Sequence, residues 1–176
     1  MGKPNIHVRP AKKTDILSIV QVCNSSILPG EDIGFGGGTP GPFQDPSKLA
    51  SIWKEPNTVE KNEIWVAEMD GRIVGVTRIE GKGGELELVD IDVPLDLQGQ
   101  GIGTQIVRSI EERARREGKR AVTLGTSRNA EGVAWKSLPW WQHLGYRITH
   151  EEENEWTRTI GPGATEIRMR KDLDYR

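Results

Sequence analysis

The feature that most constrains the fold is a strand, a glycine turn and a helix that follow one another over residues 85–117. Residues 85–93 are rich in aliphatic and β-branched side chains, as in a mostly buried strand, and Pro94 ends the pairing because it lacks an amide donor. From residue 102 onward, apolar side chains recur at helical spacing and charged ones fall mainly on the opposite side. The pattern predicts an amphipathic helix packed on a sheet.

The turn between this strand and this helix has glycine at alternate positions, Gly99, Gly101 and Gly103. Glycine permits positive φ and leaves no side chain between the backbone and an approaching ligand. Because the first amides of a helix lack internal partners and the helix dipole is positive there, the turn suits a pyrophosphate. The Thr104 hydroxyl is a further donor. Tight packing alone is the alternative explanation of these glycines.

Two familiar phosphate-binding turns do not match this segment. A P-loop needs Gly-Lys-Ser/Thr, whereas Gly103 is followed directly by Thr104, which also stands where the dinucleotide pattern has its third glycine. Residues 98–103, Gln-Gly-Gln-Gly-Ile-Gly, instead match Gln/Arg-x-x-Gly-x-Gly/Ala. The turn therefore resembles the acyl-coenzyme A turn of the GCN5-related N-acetyltransferase (GNAT) superfamily. Residues 140–146, Trp-Trp-Gln-His-Leu-Gly-Tyr, independently resemble that family's Phe-Tyr-x-Lys-Leu-Gly-Phe segment.

The resemblance covers nearly the whole chain and implies a single N-acetyltransferase domain over residues 1–176. The expected fold belongs to the mixed α/β (α+β) class. It has a mixed, mostly antiparallel central sheet of about seven strands flanked by helices. A splayed strand pair is expected at the acyl-coenzyme A site. Sequence patterns place the closing strands at residues 156–159 and 166–170, after a helix over residues 134–144 that Pro139 interrupts.

The resemblance also implies acetyl-coenzyme A as acyl donor and no metal. Pantetheine is expected to lie as a pseudo-strand in the gap of the splayed pair. Asn129 stands farther from Trp141 than the family's asparagine does, and is expected to reach pantetheine if residues 131–136 form an inserted turn. The residues expected to bind the donor are Ile91, Asp92, Val93, Gln98, Gly99, Gln100, Gly101, Ile102, Gly103, Thr104 and Asn129.

Acetyl transfer to an amine requires a base that removes a proton from the amine. Glu87 matches by position a glutamate that some members use, and strand alternation predicts that it shares a face with Ile91 and Val93. The alternative is that Glu87 forms an ordinary cross-strand pair. Asp90 and Asp92 are then competing carboxylates, expected on the opposite face.

The residue at the position of the acid that protonates the leaving thiolate differs from the family pattern. The tyrosine that often has this role falls at Trp141, and an indole N–H does not deliver that proton. Tyr146 and His143 are nearby candidates for a catalytic role, with solvent or the substrate as the alternative proton source.

The acceptor site is expected in the loop of residues 28–47, which contains many glycines and prolines. In the resembled family this segment borders the acceptor, so Glu31, Asp32 and Phe35, together with Trp141, are the expected acceptor-binding residues. The carboxylates suggest a cationic acceptor, and a passive loop is the alternative.

The predicted function is transfer of acetyl from acetyl-coenzyme A to a primary amine of a small molecule, peptide or protein, by direct attack in a ternary complex. A non-catalytic acyl-coenzyme A-binding or regulatory module is the competing prediction, because of Trp141. The net charge of −2 gives no general attraction for nucleic acid or membrane. The sequence has no signal peptide or long apolar run, so a cytoplasmic protein is expected, and a homodimer is compatible with these features.

Overall fold

The computed structural model describes residues 5–28, 31 and 41–174 of the chain. Its strands are β1 (Ile6–Pro10), β2 (Trp53–Lys54), β3 (Thr58–Val59), β4 (Asn62–Met69), β5 (Arg72–Lys82), β6 (Glu85–Asp92), β7 (Ala121–Arg128), β8 (Arg147–Glu152) and β9 (Thr165–Asp172). Its α-helices are α1 (Ile16–Asn24), α2 (Pro46–Ile52), α3 (Ile102–Arg116), α4 (Leu138–His143) and α5 (Glu155–Ile160).

The described strands form one open nine-stranded sheet in the order β2-β3-β4-β5-β6-β7-β9-β8, and β1 also pairs with β4. The β6–β7 pair is parallel and the other pairs are antiparallel. The predicted α/β class, with a mixed and mostly antiparallel sheet flanked by helices, is confirmed. The sheet has more strands than the expected number of about seven, in part because the two-residue strands β2 and β3 pair with each other and β3 pairs with β4.

The prediction of a closing strand at residues 156–159 was wrong, because this segment belongs to α5. Asn154 precedes the helix, and its Oδ1 accepts the backbone N–H of Thr157 at 3.0 Å. The Thr157 hydroxyl in turn accepts the N–H of Asn154 at 2.8 Å. This reciprocal capping satisfies two amides that a short helix would otherwise leave unpaired. The other closing strand is present as β9.

The helices cover both faces of the sheet. On one face α3 buries Ile102, Ile106 and Ile110 against Leu86 and Leu88 of β6, together with other apolar side chains of the main core. Each such buried side chain contributes about 1.5–3 kcal/mol to the free energy of folding. On the other face α1 and α2 pack in a second core that includes Val66 of β4 and Val76 of β5.

Strands β6 and β7 pair over a short stretch and then part. Their parallel register joins Glu85 to Ala121, Leu86 to Val122 and Glu87 to Thr123. Beyond these positions β6 continues to Asp92 and β7 to Arg128 with no further pairing between them. The predicted splay is therefore present, and Glu87 and Thr123 mark its vertex.

A β-bulge in β6 changes which side chains share a face. Arg78 of β5 lies opposite Asp90, but the next residue, Ile79, lies opposite Leu88, so Val89 is an extra residue on β6. An extra residue shifts the alternation of side chains by one position. As a result Glu87 shares a face with Asp90 and Asp92, and the predicted shared face with Ile91 and Val93 was wrong.

In the described part of the chain, no helix has both the length and the apolar content needed to cross a bilayer.

Candidate functional site

The gap between β6 and β7 opens into a cavity of about 720 Å³. The cavity is bounded by the end of β6, the glycine turn, the start of α3, the middle of β7, the residues after α1, and α4. Its volume is in the range of small-molecule and cofactor sites. The predicted site residues that line it are Ile91, Asp92, Val93, Gln98, Gly99, Gly101, Ile102, Gly103, Thr104, Trp141 and His143.

The glycines of the turn have different structural roles. Gly99 and Gly101 have φ of +82° and +87°, and a Cβ at either position would meet no atom within 4 Å. Positive φ strains other residues, so these two positions require glycine for the backbone conformation. Gly103 differs, because a Cβ there would lie 3.2 Å from the Trp140 ring. Tight packing therefore explains Gly103, while Gly99 and Gly101 leave an open surface beside the helix.

The N-terminus of α3 presents amides to the cavity. Gly101 is the N-cap and has no capping side chain, and the first bond of the helix runs from the Gln105 N–H to the Gly101 carbonyl at 3.1 Å. The amides of Ile102, Gly103 and Thr104 precede this bond and have no acceptor among the described residues. Unpaired amides at the positive end of a 15-residue helix attract an anion.

The Gln98 side chain ties the turn to its surroundings. Its Nε2 donates to the Val93 carbonyl at 2.8 Å and to the Ser26 carbonyl at 3.0 Å. The Leu95 N–H also donates to the Ser25 carbonyl at 2.8 Å. These bonds hold the end of β6, the turn and the segment after α1 together, so Gln98 has a defined structural role in the cavity wall. Gln100 of the same turn does not line the cavity.

Asp92 lies at the end of β6, half-buried, in the cavity wall. Its Oδ1 accepts the Ser26 hydroxyl at 2.7 Å, and the Cys23 thiol lies 3.8 Å from Oδ2. Burial and the charge of Asp90 raise the pKa of Asp92 to about 7, against the opposing effects of the Ser26 hydrogen bond and Arg78. Asp92 is thus a carboxyl group that titrates near neutral pH at the edge of the cavity.

Asp90 is held differently, by an ion pair with Arg78 across the β5–β6 ladder. The Arg78 Nε donates to the Asp90 Oδ2 at 2.8 Å, and its guanidinium lies 4.5 Å from the centre of the Phe43 ring. The other carboxylate oxygen, Oδ1, is buried and has no hydrogen-bond partner among the described residues. Asp90 also lines the cavity, although this oxygen is buried.

Glu87 lies outside the cavity lining, at the vertex of the splay. It is 4% exposed, and both of its carboxylate oxygens accept the Arg168 Nη2 at 2.7 Å. The Thr123 hydroxyl donates to the same carboxylate at 3.1 Å. The structure therefore places the predicted base in a buried ion pair, the alternative left open by the sequence.

The candidates for the acid occupy different environments. Tyr146 is 2% exposed and does not line the cavity. Its hydroxyl donates to Glu111 Oε2 at 2.9 Å, and burial together with the Glu111 charge raises its pKa above the ordinary range. His143 is exposed and lines the cavity at the end of α4. Trp141 is buried in the wall, with its ring centre 4.5 Å from that of Trp140.

Asn129 does not line the cavity, because its side chain closes a local turn. Its Oδ1 accepts the backbone N–H groups of Glu131 at 3.1 Å and Val133 at 2.9 Å. The inserted turn anticipated here is present, and Asn129 holds it in shape.

The predicted acceptor residues are only partly described. The Glu31 carboxylate accepts a hydrogen bond from the Lys136 ammonium at 2.6 Å. The same ammonium lies 5.4 Å from the centre of the Trp135 ring. Trp135 and Lys136 line the cavity, so this contact joins the segment after α1 to the wall beside α4. Asp32 and Phe35 lie outside the described residues.

Sequence reasoning missed several residues of the cavity wall, among them Ser26, Lys136 and Ser137. Ser26 contacts a residue 66 positions away in the chain, and no local pattern signals such a contact. Asp92 was visible as a carboxylate, but its acidity depends on neighbours that only the fold brings together.

Comparisons with known proteins agree with this geometry. The model of the acetyltransferase (GNAT) family matches residues 33–146. Among solved structures, the chain is similar to an IAA acetyltransferase from Bacillus cereus ATCC 14579, with 21% identity, coverage of 96% of this chain and 100% of that one, and a TM-score of 0.63.

The chain is also similar to the ribosomal-protein-S18-alanine N-acetyltransferase from Escherichia coli, with 16% identity, coverage of 98% and 96%, and a TM-score of 0.68. The ribosomal-protein-S5-alanine acetyltransferase from Vibrio fischeri shares 13% identity, with coverage of 99% and 96% and a TM-score of 0.72. At these identities the solved structures support the fold. The match to the family model, with the glycine turn and the splayed strands, shows that this chain belongs to the GNAT acetyltransferase family.

Proposed function

We propose that this protein transfers an acetyl group from acetyl-coenzyme A to a primary amine, by direct attack of the amine on the bound thioester. The observation that carries the proposal is the junction of two features. The gap between β6 and β7 opens directly onto the unpaired amides at the start of α3. Membership of an acetyltransferase family supports the same reaction type.

The donor fits this junction in a specific way. The pyrophosphate binds the amides of Ile102, Gly103 and Thr104, where the helix dipole favours negative charge. Pantetheine extends into the gap, where β6 beyond Glu87 has no partner on its β7 side among the described residues. The backbone groups of Ile91 and Val93 then supply the hydrogen bonds that a neighbouring strand would supply.

The acceptor enters where the cavity meets the end of α1. Asp90 and Asp92 lie in this part of the wall and favour a group that carries or develops positive charge. Two of the similar structures are alanine acetyltransferases of ribosomal proteins and one is an IAA acetyltransferase, so they support acetyl transfer and indicate no particular acceptor.

Binding of acetyl-coenzyme A tests the donor site directly. Isothermal titration calorimetry should show binding by the wild type and a loss of at least tenfold in affinity for Gly101→Glu, because the new carboxylate meets the pyrophosphate. Gly118→Glu is the matched control, since Gly118 also has positive φ, +72°, and open space around it, but lies at the other end of α3. Equal affinities of the two variants would contradict the proposed donor site.

A non-catalytic acyl-coenzyme A-binding module is the second candidate. It is favoured by one observation, the absence of a tyrosine from the described cavity lining, with Trp141 in the expected position and Tyr146 turned toward Glu111. Release of free thiol in the presence of a panel of primary amines separates the two functions. Binding of acetyl-coenzyme A without amine-dependent thiol release would support the module and refute the enzyme.

A further inference from the structure

We propose that Asp92 is the general base that takes a proton from the acceptor amine, and that the charge of Asp90 favours this proton uptake. This inference rests on the proposed function and gives two acidic residues of β6 separate roles. It replaces Glu87, whose position in the sequence suggests a base but whose carboxylate is bound by Arg168.

The β-bulge at Val89 brings the Asp92 carboxylate to the cavity. Without the extra residue, Asp92 would alternate onto the face of Leu86 and Leu88, which α3 covers with apolar side chains. With the bulge, it faces the residues at and after the end of α1, where the Ser26 hydroxyl and the Cys23 thiol contact it. These contacts hold the carboxylate in one orientation at the wall.

The groups around Asp92 suit proton uptake from an ammonium. Those that face it are Asp90 from its own strand, Arg78 from β5, Cys23 from α1, and Ser26 from the segment after α1. Arg78 is paired with Asp90, so Asp92 has no cation of its own among the described residues. Because desolvation and the Asp90 charge outweigh the hydrogen bond from Ser26, its pKa of about 7 lies between those of an ordinary aspartate and an alkylammonium.

Asp90 acts on Asp92 through its charge. Its Oδ2 is bound by Arg78, and its Oδ1 is buried without a hydrogen-bond partner among the described residues. The charge of Asp90 beside Asp92 favours the protonated form of Asp92 and so makes Asp92 the better proton acceptor.

The proton and electron balance follows from these roles. Asp92 removes one proton from the ammonium, and the freed lone pair of the nitrogen attacks the thioester carbonyl carbon. The carbon–sulfur bond breaks as the tetrahedral intermediate collapses, and the electron pair leaves with sulfur. The second proton of the nitrogen reaches the thiolate, directly or through solvent, to give free coenzyme A. Asp92 returns its proton to solvent, so that one proton is released for each amide formed.

The pH dependence of acetyl transfer tests Asp92. For the wild type, kcat/KM measured with the most active amine of the panel should fall as the pH drops through about 7, because Asp92 becomes protonated. This fall at low pH is the acidic limb of the pH profile. It should occur at the same pH when a second amine with a different pKa is the acceptor. Asp92→Asn should lower kcat about a hundredfold or more, abolish the limb, and keep the affinity for acetyl-coenzyme A.

Two further variants keep the test informative if Asp92→Asn folds poorly. Ser26→Ala removes a hydrogen bond that stabilises the charged carboxylate, so the acidic limb should move to higher pH. Glu87→Gln is the matched control, because it removes a carboxylate from the same strand outside the cavity, and the limb should stay in place.

Each outcome decides between the two levels of the proposal. If the wild type is active and the acidic limb of its pH profile is unchanged in both Asp92→Asn and Ser26→Ala, the role proposed for Asp92 is wrong. Movement of the limb by Glu87→Gln, with none by Ser26→Ala, would return the role to Glu87. No amine-dependent turnover by the wild type, despite binding of acetyl-coenzyme A, would refute the proposed function itself.

Discussion

The two ends of β6 carry the same type of residue in opposite circumstances. At the paired end, Glu87 lies beside Thr123 of β7 and is neutralised by Arg168 from β9. At the splayed end, Asp92 has no strand beside it on the β7 side and no cation of its own among the described residues. One strand thus carries a carboxylate that an arginine neutralises and another that has no such partner among the described residues.

Both environments follow from simple electrostatics. Where β6 and β7 pair, cross-strand neighbours lie within reach and a buried charge finds its counter-charge. Where they part, the neighbour is missing and the cavity takes its place. The same separation that opens the cavity therefore leaves Asp92 without a neighbouring strand on its β7 side.

Removal of the paired carboxylate should give the largest effect on stability. Glu87→Ala leaves the Arg168 guanidinium, half-buried on β9, without its main counter-charge and should lower the free energy of unfolding by about 3 kcal/mol. Urea denaturation measures the change. Glu112→Ala is the control, because its pair with Arg115 is exposed and spans 3.7 Å, and should cost less than about 0.5 kcal/mol. Similar losses in both variants would remove the distinction between a paired and a surface carboxylate.

Substitution of Asp92, at the splayed end, should raise the free energy of unfolding at high pH, whereas Glu87→Ala lowers it. The pKa of Asp92 is raised in the folded state, so the wild type loses stability as the pH rises from the unfolded pKa, about 4, through the folded pKa of about 7. Asp92→Asn removes the charge and should therefore gain stability relative to the wild type between pH 5 and pH 8, on the order of 2 kcal/mol.

Thermal unfolding at a series of pH values measures this difference. At low pH, where the wild-type carboxyl group is neutral, the two proteins should have similar stability. A difference that does not grow with pH, or that grows in the other direction, would show that Asp92 is compensated in the folded protein.

The smallest effects should come from the two hydroxyl groups that donate to these carboxylates. Thr123→Val removes the donor to Glu87 and should cost about 1 kcal/mol, because Arg168 still binds the carboxylate. Ser26→Ala removes the donor to Asp92, and its destabilising effect should grow with pH, since the bond favours the charged form. Equal, pH-independent losses in urea denaturation would erase the contrast between the two ends of β6.

Much of the donor side could be predicted from local sequence. Alternate glycines, Pro94 before them and an amphipathic segment after them specify a strand, a turn and a helix, because backbone conformation and helical periodicity are properties of neighbouring residues. The family resemblance placed the splay correctly, and most residues expected to bind the donor line the cavity. Asn129 was an exception, since the turn that surrounds it engages its side chain.

The residue that we propose as the base could not be predicted in the same way. Strict alternation along β6 puts Glu87 with Ile91, and only the register against β5 reveals the extra residue that shifts the faces. The partners that separate Glu87 from Asp92, Arg168 and Ser26, come from β9 and from the segment after α1. No pattern within β6 encodes contacts to such distant parts of the chain.

By itself, the sequence determined the fold class, the family and the place of the glycine turn, since these depend on residue types at fixed local spacing. Only the tertiary structure decided which acidic residue of β6 is neutralised and which remains available. The physical reason is that a carboxyl group's acidity depends on burial and on charges within a few ångströms, and the folded chain alone brings Arg168, Asp90 and Ser26 to those positions.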